Sequence, residues 1–294
     1  MDVVYYYDEK VWERIELIGV PHLGIVEDAY YMGGEYKVDQ AVGEARLLPF
    51  CLDDIIKAGI EKLAGEIIPL QTVDAVEKKI RDRLKDGNGF SFIRMGDGEL
   101  VTLAHDILVS TEQLKAFPHF DFLQYAGVHI PDPESRDQLL QCVADADLIG
   151  IPVVRFPSYQ TMFIKLAQHH GWPLKQMALT GSSVNYFLSR TTLYDHILKN
   201  CRVLLIGNRM AEGKNFFEAL GYNQIAGVIP VNGIKDVPNA LAEAAKYEFD
   251  AAFVSAGISA NPICTALAKQ KKTALDFGHL MDELLKGTYT LRRE

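Results

Sequence analysis

The residues best suited by type and spacing to do chemistry lie in one short stretch, Arg94-Met95-Gly96-Asp97-Gly98-Glu99. Asp97 and Glu99, one residue apart, can bring two carboxylates to one hard cation from a tight turn. Magnesium or manganese takes few protein oxygens and gives its other positions to water and substrate phosphates. Such an ion would act as a Lewis acid on a departing diphosphate. Gly96 and Gly98 remove side chains on both sides of Asp97, which suits close ligand approach. Arg94 ends the apolar run that starts at Phe90, where an unpaired guanidinium would be costly to bury. It would orient the acids or hold a phosphate. A plainer reading uses the same residues: Asp-Gly is a common type I′ turn, and Glu99 fits a solvated first-turn helix position.

Around this turn, the chain predicts strands alternating with helices. Phe90 to Met95, Asp147 to Val154, Met177 to Thr180, Val203 to Ile206, Ile225 to Val231, Ala251 to Val254 and Thr273 to Phe277 are apolar or β-branched runs. Ser135 to Val143, Tyr159 to His169, Ala211 to Leu220, Val237 to Tyr247, Ser259 to Lys269 and Leu280 to Leu285 carry helical patterns. Ahead of them, Leu52 onward and Val73 to Leu84 also read as helices, the second capped by Thr72 and stopped by Asp86-Gly87-Asn88-Gly89. The expectation is α/β: a Rossmann-like, doubly wound, mainly parallel sheet with helices on both faces. An irregular or helical extension precedes it. Residues 1–50, with Tyr5-Tyr6-Tyr7, Tyr30-Tyr31 and Gly33-Gly34, show little periodicity. They fit an irregular layer on the main domain, a hairpin-rich extension or a dimerisation arm, so a homodimer is conceivable. Residues 51–294 form the main domain.

In such sheets ligands bind beyond the carboxyl ends of the strands. Four strands here are followed by glycine and small polar residues: Gly181-Ser182-Ser183-Val184-Asn185, Gly207-Asn208-Arg209, Ser255-Ala256-Gly257 and Asp276-Phe277-Gly278-His279. Any one such turn has a geometric explanation; four at one edge favour a nucleotide or phosphorylated ligand. Gly207, Asn208, Gly257, Asn185 and Asp276 are therefore substrate-binding candidates. Lys214, read as lying at a helix start, would meet phosphate or be solvated. Arg190 would contact substrate or simply pack. His279, Asp276 or His105 could serve as general base; the plainer expectations for the first two are a backbone-bonded histidine and a helix N-cap. His105-Asp106 follows the key turn closely enough to support it, and His169-His170 fit a helix C-terminus without metal. Neither G-x-G-x-x-G nor G-x-x-x-x-G-K-[ST] occurs.

Composition narrows the classes. The 294 residues are 48% hydrophobic and 23% charged, with a formal charge of −9 and no Lys/Arg-rich run, which argues against a nucleic-acid partner. Cys51, Cys142, Cys201 and Cys264 are far apart and form no C-x-x-C pair, so zinc sites and disulfide frameworks are not expected. No apolar run reaches the ~20 residues of a membrane span, and residues 1–10 do not resemble a signal peptide. Together these predict a cytoplasmic protein without a transmembrane segment.

On its motifs, the stretch from Phe90 onward resembles the GT-D-type glycosyltransferases. The resemblance is carried by Phe92-Ile93-Arg94-Met95-Gly96-Asp97-Gly98-Glu99 and Ala274-Leu275-Asp276-Phe277-Gly278-His279. Val203-Leu204-Leu205-Ile206-Gly207 and Phe253-Val254-Ser255-Ala256-Gly257 lie between them. The family's Asp-x-Glu motif falls on Asp97 and Glu99. This implies Mn2+ or Mg2+ binding there, and transfer of a sugar, of hexosyl type, from a UDP-sugar type donor to a glycan or glycoprotein acceptor. Bacterial cell-surface glycan assembly is the setting it suggests. The alternatives from the residues themselves are a non-catalytic nucleotide- or phosphosugar-binding module and a metal-dependent phosphotransferase or phosphohydrolase. Residues 1–50 resemble no part of that family.

Overall fold

Seven parallel strands form one sheet in the computed structural model, which describes residues 31–43, 46–115, 128–153 and 159–294. They are β1 Phe90–Arg94, β2 Leu148–Ile151, β3 Leu179–Gly181, β4 Val203–Ile206, β5 Ile225–Ile229, β6 Ala251–Val254 and β7 Thr273–Asp276. Their order is β3-β2-β1-β7-β6-β4-β5, and every pairing is parallel. The reason is legible in β4: Val203, Leu204, Leu205 and Ile206 are all fully buried, so both faces of the strand need covering. Several strands are shorter than their apolar runs. Asp147, Met177, Val231 and Phe277 lie outside the ladders, and Val154 lies outside the described residues.

Side chains alternate between two cores. On one face Ile93, Leu204, Ile206 and Val254 pack against helices α4 Asp97–Ala104, α6 Pro133–Asp145, α7 Tyr159–His170, α11 Val237–Ala244 and α12 Ala260–Lys269. On the other, Phe90, Phe92, Leu205, Phe253 and Leu275 meet α3 Val73–Asp86, α8 Val184–Leu188, α9 Leu193–Asn200, α10 Met210–Ala219 and α13 Leu280–Lys286. Phe253 and Phe277 stack in this second core with ring centroids 4.8 Å apart. Each such buried ring contributes on the order of 2 kcal/mol by leaving water. The doubly wound expectation is met.

Helix ends follow their local signals. Thr72 accepts the Ala75 N–H at the start of α3, and Gly87 closes that helix in the left-handed region at φ 63. Asp132 accepts the Ser135 N–H ahead of α6, with Pro133 in its first turn. Helices α8 and α9, and α5 Thr111–Lys115, lie outside the helices expected from the sequence; the five residues of α5 and α8 span little more than one turn, while α9 buries Leu193, Tyr194, Ile197 and Leu198 at helical spacing.

The chain divides into two compact units, 1–67 and 68–294, and α2 Leu52–Lys62 lies within the first. In that unit a π-helical turn, Tyr31–Glu35, leads into α1 Tyr36–Val42. A hairpin reading therefore fails over 31–42, where Gln40 and Ala41 favour helix. Tyr5-Tyr6-Tyr7 and Tyr30 lie outside the described residues. Among the described residues, no helix is long and apolar enough to cross a membrane.

Candidate active site

The chain leaves β1 through α4 on one face of the sheet and leaves β7 through α13 on the other. Because β1 and β7 are neighbours, their carboxyl ends border the crevice where the winding reverses, the usual ligand position in such sheets. Arg94 ends β1 and Asp276 ends β7. The guanidinium Nη2 donates to Asp276 Oδ1 at 3.0 Å, and Nη1 donates to the Ser182 carbonyl oxygen at 3.3 Å. Asp276 is 3% exposed. Burial pushes its carboxyl above the ordinary range, while Arg94 opposes that shift. Burial also works against the Arg94 charge, and Asp276, helped by Glu99 and Tyr186, more than restores it. The sequence expectation that Arg94 needs a partner is thus answered, and the partner is Asp276 rather than the acids of its own turn.

Glycines make room for this pair. A Cβ on Gly278, at φ +53, would fall 1.6 Å from Arg94 Nη2, and one on Gly150 would fall 3.1 Å from Arg94 Cγ. Ser255 Oγ donates to the Gly278 carbonyl oxygen, and Gly207 packs on the Ser255 backbone, where a Cβ would come within 2.0 Å of its oxygen. Loops after β4, β6 and β7 are joined into one surface through these contacts. Asn185 is fully buried, and its amide donates to the Phe277 carbonyl oxygen at 2.9 Å, so it fixes the loop after β7.

The acidic turn is an N-terminal helix cap. Gly96 precedes α4, and Glu99 Oε2 accepts the Gly96 N–H at 2.9 Å, while Asp97 Oδ1 accepts the Gly98 N–H at 2.9 Å. Asp97 is exposed, but Glu99 is 9% exposed, not the solvated residue of the plainer reading. Burial, then the negative charge of Asp276, lifts Glu99 from 4.5 to about 7; its main-chain bond and Arg94 pull the other way, and Asp97 adds to the rise. Asp276 and Asp97 thus both act on Glu99, and Arg94 is the guanidinium that opposes them. Tyr159, at the start of α7, is also within reach of Asp97, whose charge adds to burial in raising the phenol.

A divalent cation fits that excess of negative charge. Among the described residues no cluster of three or more His, Cys, Asp or Glu forms a closed cage. Magnesium or manganese completed by water and phosphate would need only two protein carboxylates, and Asp97 and Glu99 are the residues that would supply them.

The other candidates are distributed as follows. His279 is 82% exposed at its side chain, with Nδ1 3.1 Å from Asp282 Oδ2, and its charge still reaches Asp276. Asn208 Oδ1 accepts the Val231 N–H at 3.0 Å, and Gly257, at φ +54, faces open space. Lys214 lies in the second turn of α10, not at its start, and its Nζ is 3.7 Å from Glu218. Arg190 lies over the rings of Phe187 and Tyr289. His105 is fully buried: Nδ1 meets the Thr102 carbonyl oxygen, and Nε2 accepts the Asp132 N–H at 3.2 Å. Both nitrogens are thereby committed to structure, and Asp106 caps Thr111. His170 stacks on Trp172 at the end of α7. All four cysteines are free thiols, three of them buried. Sequence reasoning did not name Gly150, and it gave no role of their own to Gly278 and Asn261, which stand in the polar stretches after β7 and β6.

No curated protein matches the chain. Among solved structures it is similar to one titled a new glycosyltransferase from Streptococcus sanguinis, at 14% identity over 75% of this chain and 86% of that one, with a TM-score of 0.47. A second, titled a domain of unknown function with a distinct glycosyltransferase fold, shares 16% identity over 81% and 87%, also at 0.47. A family model described as a GT-D fold-like domain matches residues 71–284, which runs from just before the cap of α3 into α13 and takes in every strand of the sheet. By that match the chain belongs to the GT-D-like family.

Proposed function

We propose that this chain is a metal-dependent glycosyltransferase that moves a sugar, of hexosyl type, from a nucleotide-sugar donor, a UDP-sugar by preference, to a glycan or glycoprotein acceptor. The observation that carries the reading is Glu99: a carboxyl buried at the sheet's switch point beside Asp276 and Asp97, with its pKa held at about 7. An acid so placed costs stability once ionised, and a cation-binding role accounts for that cost.

A divalent ion, when bound, supplies Lewis-acid stabilisation to a departing diphosphate. Asp97 and Glu99 would hold it. Arg94 is fixed by Asp276 and Ser182, so its positive charge is pre-oriented beside the donor site. The ten-residue helix α10, which follows the loop after β4, offers N–H groups to phosphate at its N-terminus. Of the three general-base candidates, His279 is the one with an exposed ring, since His105 is spent on structure and Asp276 on Arg94.

The test is a thermal-shift series with UDP, GDP and CMP, each with manganese or EDTA, on wild type and the Asp97→Asn/Glu99→Gln double variant. A ligand at 100 times its Kd stabilises by about 2.7 kcal/mol. The expected outcome is a UDP response that needs manganese and is absent from the double variant, followed by release of nucleoside diphosphate from a donor sugar. No nucleotide response under either metal condition would sink the reading. Release of inorganic phosphate would replace it with phosphate chemistry.

A further inference from the structure

Asn261 sits in the first turn of α12 and is fully buried, yet its side chain does not cap its own helix. Its Oδ1 accepts the Arg94 N–H at 3.4 Å, and its Nδ2 donates to the Arg94 carbonyl oxygen at 3.1 Å. A primary amide used this way imitates one residue of a neighbouring strand. The register shows why one is needed. On the β2 side, pairing of β1 runs to Arg94, opposite Gly150, and the Met95 N–H continues it to the Gly150 carbonyl. On the β7 side, the last pair is Phe92 with Leu275. Beyond it the Phe277 N–H turns to Val254 on β6. Alternate residues of a parallel strand address the same neighbour, so the main-chain groups of Arg94 face the side where β7 has stopped pairing. Left there without partners in the interior, they would carry the full penalty of desolvation.

We propose that Asn261 is a positioning residue: its amide completes β1 where β7 withdraws, and so fixes the main chain of Arg94. That lets the crevice open without fraying the strand that leads into Gly96-Asp97-Gly98-Glu99. The structural claim is independent of the assigned chemistry; its consequence for ligand binding rests on the glycosyltransferase reading.

The experiment compares full-length wild type with Asn261→Ala and with Asn261→Asp, which keeps the size and the acceptor but loses the donor. Leu267→Val, at a buried position of the same helix, controls for general loss of stability. Hydrogen exchange over residues 92–100 is read against residues 203–206. Exchange at 92–100 should rise ~10-fold or more in Asn261→Ala, less in Asn261→Asp, and not selectively in Leu267→Val. With manganese, the apparent affinity for UDP should fall ~10-fold or more in the Asn261 variants while their far-UV spectra stay native. Unchanged exchange at 92–100 overturns the proposal. Loosened exchange with unaltered UDP affinity overturns the positioning role. If wild type itself ignores UDP and manganese, the glycosyltransferase reading fails, and the exchange comparison still decides whether Asn261 holds Arg94.

Discussion

At the scale of single residues, electrostatics concentrates on three acids and one guanidinium. Glu99 gives a pH signature whose sign can be worked out. Its folded pKa, about 7, lies above the ordinary 4.5, so its contribution to stability is complete below 4.5 and is lost as pH rises through 7. In metal-free protein, wild type should therefore lose stability relative to Glu99→Gln between pH 5 and 8. The ceiling is on the order of 3 kcal/mol, and urea melts at a series of pH values would measure it. A flat difference would show that the carboxyl is not held neutral. Asp276→Ala should cost about 3–5 kcal/mol because it strands the Arg94 charge in the interior. Adding Arg94→Met should recover much of that loss, which a double-mutant cycle by chemical denaturation would reveal. The Arg-Met-Gly-Asp-Gly-Glu turn was readable from residue types alone. The Asp276 partnership was not, since the two residues are 182 positions apart and only the sheet order joins them.

Among the elements, legibility followed coverage. β4 and β6 match their predicted bounds because an unbroken apolar run is what a strand covered on both faces requires. Longer runs such as Ile225 to Val231 overshot, since hydrophobicity marks burial and pairing ends earlier than burial does. Helix α8 has too few residues, five, to stand out, whereas α9 buries Leu193, Tyr194, Ile197 and Leu198 at helical spacing and does carry a readable signal. Asn261 escaped for a different reason: a residue that completes a strand from within a helix has no signature in either pattern. Caps, by contrast, are local and were read correctly at Thr72. Thr72→Ala should cost about 1 kcal/mol, and a lowered urea midpoint with unchanged m-value is the expected result.

For the whole molecule, the division between 67 and 68 agrees with a family match that begins at residue 71. A fragment of residues 68–294 should give a cooperative thermal transition and keep the manganese-dependent UDP response; a non-cooperative melt would show that the first unit is required for folding. Within that body, β7 is the last strand in chain order yet lies fourth across the sheet, between β1 and β6. Until it is synthesised, a growing chain can hold only two separate three-stranded halves, β3-β2-β1 and β6-β4-β5. A messenger truncated before Thr273 would thus yield two apolar strand edges with nothing between them, a species suited to aggregation and to capture by chaperones. Arg94 and Asp276, contributed by the first strand and the last, come together only in a chain that has been read to its final strand.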